Sequence, residues 1–121
     1  MITIVLVDDS PTVRTMVSEL LKSKGIKVVE AADGIEAMEK IQTSSPDLVI
    51  TDIVMPRMNG YELCRWVKTH FKDRDIPVIM CTSKSEQFDH YWGLKQGADA
   101  YITKPFQPAD MLQAIKKLIR R

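Results

Sequence analysis

Only two cysteines occur in the chain, Cys64 and Cys81, and they have no CxxC or zinc-type spacing. A disulfide framework and a cysteine-ligated metal centre are therefore excluded, and two buried, reduced thiols are expected. Histidine is as scarce: His70 and His90 are isolated and read as surface residues. No apolar run approaches the roughly 20 residues that span a bilayer, and no signal peptide opens the sequence, so a cytoplasmic protein is expected. An excess of one charge is missing too. Seventeen Lys and Arg against sixteen Asp and Glu leave a net charge of +1, with no field to favour nucleic acid or a membrane surface. No Gly-rich phosphate loop follows the first apolar run, which argues against a flavin- or nucleotide-binding protein. No linker, repeat or low-complexity segment interrupts the 121 residues, a length suited to one domain with one sizeable core.

What the chain does contain is alternation. Ile2–Val7 is an uninterrupted apolar run, as in a parallel strand buried on both faces. Ser10 and Pro11 then supply an N-cap and first helical position, followed by Val13, Met16, Val17, Leu20 and Leu21 at helical spacing and a stop at Gly25. Strand and helix repeat in this way five times. The further strands are expected over 27–31, 47–51, 78–81 and 98–103. The second helix opens on a capping box at Asp33–Glu36 and turns Ala37, Met38 and Ile41 inward. The third begins near Gly60 and buries Leu63, Cys64, Val67 and Phe71. The fourth runs from Ser83 to about Gln96, with Phe88, Tyr91 and Trp92 spread around it. The fifth starts at Pro108 and packs Met111, Leu112, Ile115, Leu118 and Ile119. Right-handed crossovers then predict an α/β fold, a parallel sheet with five helices on its two faces.

Ligands in such sheets bind beyond the carboxyl ends of the strands, where the winding reverses. Asp8-Asp9, Asp52, Thr82-Ser83 and Lys104-Pro105 each close one of the apolar runs. Alone, each has a plainer reading: Asp8 caps a helix, Thr82 and Ser83 cap another, Lys104 is a solvated loop lysine, Asp52 is a turn residue. Together they make a constellation. Three carboxylates brought close must hold protons or bind a cation, and an all-oxygen site with few protein ligands suits Mg2+. Asp52 then stays ionised as a nucleophile toward phosphorus, while Lys104 and Thr82 offset and hydrogen-bond the charge on the transferring oxygens.

The motifs Val7-Asp8-Asp9-Ser10, Thr51-Asp52 through Pro56 to Asn59-Gly60, Cys81-Thr82-Ser83, and Gly97 through Lys104-Pro105-Phe106 occur in one order. In them the chain resembles, from end to end, the receiver domain of bacterial response regulators, as a stand-alone, CheY-like one. That resemblance implies the flavodoxin-like strand order 2-1-3-4-5, to which CheY itself conforms. It implies that Asp52 accepts a phosphoryl group from a histidine kinase, CheA-like or hybrid. Asp9, Asp52 and the Val54 carbonyl would ligate Mg2+, with Asp8 acting largely through water. Thr82 and Lys104 would contact the phosphoryl group, with Ser83 beside them and a cis Lys104–Pro105 peptide. Tyr101 matches an aromatic switch position. Residues 101 and 104 of an extended strand point to opposite faces, so Tyr101 should face outward between the fourth and fifth helices when Lys104 faces the site. The surface made by those helices and the fifth strand would then engage a downstream partner in a chemotaxis- or motility-type phosphorelay. A single domain without an effector module, and a monomer, are expected.

Two positions depart from the best-known chemotaxis protein: Val54 replaces a polar amide and Lys84 an acid, so the phosphoryl lifetime does not carry over. Trp92 to Ala98 is similar to single-domain regulators of type IV pilus systems, of the twitching or phototaxis kind. Met55 and Met58 are either a partner-facing patch or loop packing. Two alternatives stand beside the switch: a phosphate sink or relay intermediate, and a Mg2+-dependent phosphohydrolase with an aspartyl nucleophile. The second ordinarily carries an acid where Val54 stands, and a cap domain.

Overall fold

Apolar residues without interruption must bury both faces of a strand, and the first strand, β1 (Thr3–Val7), does so from Ile4 onward. The computed structural model describes residues 1–83 and 97–119, with Thr82 described in its backbone only. Within them follow α1 (Pro11–Lys22), β2 (Lys27–Ala31), α2 (Gly34–Ser44), β3 (Leu48–Thr51), α3 (Gly60–His70), β4 (Val78–Thr82), β5 (Ala100–Thr103) and α4, the C-terminal helix (Pro108–Ile119). The five strands pair in parallel in the order β2-β1-β3-β4-β5, which is the flavodoxin-like order expected. Four of the five expected helices lie among the described residues. The expected fourth, with Phe88, Tyr91 and Trp92, and His90 with it, lies outside them apart from Ser83.

Strand parity divides the interior in two. Val5, Val7, Val49, Val78 and Met80 face α2 and α3, where Ala37, Ile41, Leu63 and Val67 meet them. Ile4, Leu6, Ile50, Ile79 and Cys81 face the opposite way, onto Val17 and Leu21 of α1 and Met111 and Ile115 of the C-terminal helix. The same alternation assigns Tyr101 to the first layer and Ile102 to the second. Both cysteines are buried free thiols; burial pushes Cys64 up to about 11 and Cys81 to about 12.

Local chemistry sets the helix ends. The Ser10 hydroxyl accepts from the Val13 amide, with Pro11 at the first helical position. Gly25 closes the following turn at φ +79°. Asp33 caps α2 through the Glu36 amide, but Glu36 reaches back to the Ala32 amide, one residue earlier than in the expected capping box. The reciprocal box occurs instead at α3, between Asn59 and Glu62. Two expected faces also differ. Met16 is 58% exposed, because α1 turns Val17, Ser18 and Leu21 fully inward, with Val13 packed at their side. Phe71 is half-buried, stacked edge-on against Trp66 at the end of α3. Met55 and Met58 turn out to pack against the interior. His70 is exposed as expected. No helix among the described residues is long and apolar enough to cross a membrane.

Gly60 opens α3 against the strand it follows: a Cβ there would overlap the Asp52 carbonyl oxygen and lie 2.9 Å from Ile53 Cα. Both obstacles are backbone. Gly60→Ala is expected to cost about 3 kcal/mol, at the upper end of overpacking. Gly25→Ala, with open space around it, is expected to cost only about 1 kcal/mol for its positive φ. Urea unfolding of the two variants checks the contrast.

Candidate functional site

The winding direction reverses between β1 and β3, and the two strands carry their acids to that point in register. Val7 pairs with Thr51, and the Asp52 amide donates to the Val7 carbonyl at 2.9 Å. Asp8 and Asp52 therefore leave the sheet side by side. β4 and β5 end next, Thr82 opposite Thr103, which places Lys104 at the same edge. Carboxylate oxygens of Asp8, Asp9 and Asp52 all lie within 4.8 Å of one another. Lys104 Nζ is 2.8 Å from Asp8 Oδ2 and 3.5 Å from Asp52 Oδ2.

The three acids are held differently. Asp8 is buried with both oxygens engaged, Oδ1 by the Ser10 amide and Oδ2 by Lys104. Asp9 is exposed. In Asp52 the Ile53 amide donates to Oδ1 at 2.8 Å, which leaves Oδ2 facing Lys104. Burial raises the Asp52 carboxyl above its ordinary value; the Lys104 charge opposes this and the Asp8 charge adds to it. For Lys104, burial acts downward, but the hydrogen bond to Asp8 and the charges of Asp52 and Asp8 outweigh it and leave the ammonium above its ordinary value. The donor set is oxygen only, with solvent reaching Asp9, and this fits a hard cation of the Mg2+ kind better than a transition metal.

The remaining expected residues sort as follows. Val54 is 60% exposed in the loop after β3. Ser83 is exposed, and the Lys104–Pro105 peptide is cis. Tyr101 is half-buried against the α2–α3 layer, on the opposite side of β5 from Lys104. The Thr82 side chain lies outside the described residues. Beside Lys104, a cleft of about 450 Å³ is walled by Val13, Met16, Pro105 and Phe106, with Ser83 at its edge.

Two supports escaped the reading of the sequence. Arg14 Nη1 donates to the Asp8 carbonyl at 2.6 Å, and its Nε lies 3.3 Å from Glu30, so α1 and β2 together brace the acidic turn. Arg57, at φ +71°, ties the loop carrying Val54 to Asp33 through Nε at 3.2 Å and Nη2 at 2.6 Å. Asp33 is held below its ordinary value first by the Glu36 amide and then by Arg57. The position of Arg14 on the first turn of α1 was the one available signal; the Arg57 contact spans 24 residues and leaves none.

The response regulator receiver domain family matches residues 4–116. Protein PilG of Pseudomonas aeruginosa is 41% identical over 113 residues, covering 93% of this chain and 84% of that protein. The alkaline phosphatase synthesis transcriptional regulatory protein PhoP of Bacillus subtilis is 37% identical over 118 residues, 98% of this chain but 48% of that protein. The chain thus spans about half the length of several curated relatives. Among solved structures, the Vibrio cholerae chemotaxis protein CheY4 superposes with a TM-score of 0.91 at 34% identity, covering 98% of both chains.

A carboxylate with a raised pKa favours the folded state when protonated. The penalty is absent below the unfolded value near 3.8 and present once pH exceeds the folded value. In metal-free protein at neutral pH, Asp52→Asn is therefore expected to raise stability, with the gain vanishing as pH falls toward 3.8. Lys104→Met should cost about 2 kcal/mol by leaving Asp8 buried without its cation. Urea midpoints across pH 4 to 7 in EDTA check both signs.

Proposed function

The chain belongs to the response regulator receiver domain family, and on that premise we propose that it is a phosphorylation-dependent signalling module whose acceptor is Asp52. The observation that carries this reading is the meeting of Asp8, Asp9 and Asp52 within 4.8 Å under a shared lysine. Asp9, Asp52 and the Val54 carbonyl would hold Mg2+, with the Asp8 carboxylate beside them. The ion, when bound, neutralises charge on the transferring oxygens.

The chain's own residues do the rest. The Ile53 amide holds Asp52 Oδ1, so Oδ2 is presented to the phosphorus of a histidine kinase's phosphohistidine. A P–O bond forms at Oδ2 as the P–N bond breaks, and the departing imidazole takes a proton from solvent. Lys104 stands 3.5 Å from that oxygen and moves toward the incoming phosphoryl group; Thr82 donates its hydroxyl to it. Hydrolysis of the acyl phosphate returns the chain to its starting state, so the protein acts on itself and turns over no separate substrate. No acid stands at Val54 to serve a phosphohydrolase. The phosphohistidine approaches through the cleft beside Lys104, where Val13, Met16, Pro105 and Phe106 offer the kinase an apolar seat.

The adduct brings about −1.5 to −2 charges to the site. Thr82 is drawn in, Tyr101 follows, and the surface around β5, the C-terminal helix and the segment before β5 changes its partner affinity. The identity to Protein PilG and the fold shared with a chemotaxis protein favour an output in a motility-type pathway; action in the cytoplasm and as a monomer belongs to the same proposal.

Incubation with Mg2+ and acetyl phosphate is expected to add one phosphoryl group by intact mass, absent without Mg2+ and absent in Asp52→Asn. Continuous release of phosphate from metabolites would instead favour the hydrolase. A second test isolates the kinase seat: Met16→Asp should slow transfer from a phosphorylated histidine kinase about tenfold and leave labelling by acetyl phosphate unchanged.

A further inference from the structure

The opposite edge of the sheet carries a second concave surface. Ile2 and Ile26 immediately precede β1 and β2, joined there by the Lys27 amide donating to the Ile2 carbonyl at 2.9 Å. Leu112, Ile115 and Ile119 face them from the C-terminal helix at successive turns. Between these two walls lies a groove of about 420 Å³, within the range of ligand-sized pockets. Its walls are apolar and its rim is not: Lys24 stands on one side and Lys116 on the other.

The charge around the groove is of one sign. Lys22, Lys27 and Lys117 are exposed beside the two rim lysines. Among the described residues, none of the five has a carboxylate within ion-pair distance. The nearby acids are committed elsewhere. Asp47 accepts the Thr3 amide at 2.9 Å, and Glu19 lies on another side of α1 with Thr12 and Thr15. In a chain of net charge +1, this is a local basic collar around an apolar slot.

We propose that this groove docks an acidic amphipathic segment of a partner protein, with its apolar side chains in the slot and its carboxylates on Lys24 and Lys116. The concavity selects such a segment over a lipid surface, which apolar side chains enter only when they protrude. A helix presenting apolar residues at successive turns and acids beside them matches both features. The groove lies at the amino ends of the strands and Asp52 beyond their carboxyl ends, a separation of about 17 Å for a five-residue strand. No described hydrogen bond or ion pair links the rim lysines to the acidic cluster. Docking here is therefore independent of phosphorylation and holds the module beside its partner in both states.

The test uses fluorescence anisotropy with two labelled peptides of one amphipathic helical pattern, Leu/Glu and Leu/Lys. Saturable binding of the Leu/Glu peptide alone is expected, unchanged by Mg2+ and acetyl phosphate. It should weaken about tenfold or more in Lys24→Glu/Lys116→Glu, whose altered residues are exposed, and also in Ile119→Ser, which keeps the lysines. Circular dichroism verifies that both variants fold. Equal binding of the two peptides, no saturation, or indifference to both variants would overturn the proposal. So would preferential partition onto phosphatidylglycerol vesicles, or sedimentation showing that the groove pairs two copies of the chain.

Discussion

Repulsion among three carboxylates at one sheet edge is the constraint around which the molecule is built. Asp8 is 3% exposed, and a carboxylate so placed is tolerable only with its charge met. The fold meets it with an ammonium from 96 residues away, delivered by a strand at the opposite side of the sheet from β2. The order of the strands follows from that need. With β1 and β3 adjacent the acids converge, and with β4 and β5 next in line Lys104 arrives at the same edge. A different order would leave the acids or the lysine without a counterpart.

Much of the surrounding structure keeps those groups in place. Arg14 binds the Asp8 carbonyl while pairing with Glu30, so its charge lies close to the acids without neutralising any of their oxygens. Gly60 lets α3 approach the Asp52 backbone, and its amide donates to the Ile53 carbonyl at 2.8 Å. The Ile53 amide in turn orients Asp52. Arg57 and Asp33 pin the loop between them from its outer side. Such exposed pairs are individually weak, on the order of 1 kcal/mol or less; their effect here is to restrict a short loop rather than to stabilise the fold.

Parity made the site legible. Once Ile2–Val7 and Leu48–Thr51 are read as parallel strands buried on both faces, their following acids must lie at one edge, and Lys104 is placed by the same rule. The helix caps at Ser10 and Asp33 were also readable, being local in sequence. What was not readable depends on contacts between distant residues. Met16 carries the spacing of a buried position yet faces outward, because the width of the helix–sheet contact sets how many residues of an apolar stripe are covered. The exchange of capping boxes between α2 and α3 turns on Glu36 reaching Ala32 rather than Asp33, a choice made by the geometry of the β2–α2 turn. The Arg57 clasp and the groove beneath the C-terminal helix required coordinates.

A signal can leave the site only through a group whose contacts differ between the two states. Asp8, held by the Ser10 amide and a buried backbone, has little freedom to change. Lys104 does have it: one ammonium stands between two carboxylates, close to Asp8 and more distant from Asp52, with burial acting against its charge. In the proposed function, new negative charge on Asp52 would tip that balance in one direction only. Because Lys104 follows β5 directly, any displacement acts on the strand that carries Tyr101 on its other face. Among the described residues the strand is paired on one side alone, to β4, and its residues are half-buried throughout. It is thus the strand least restrained by the sheet among those that reach the acids, and the one best placed to convert a change of charge into a change of surface.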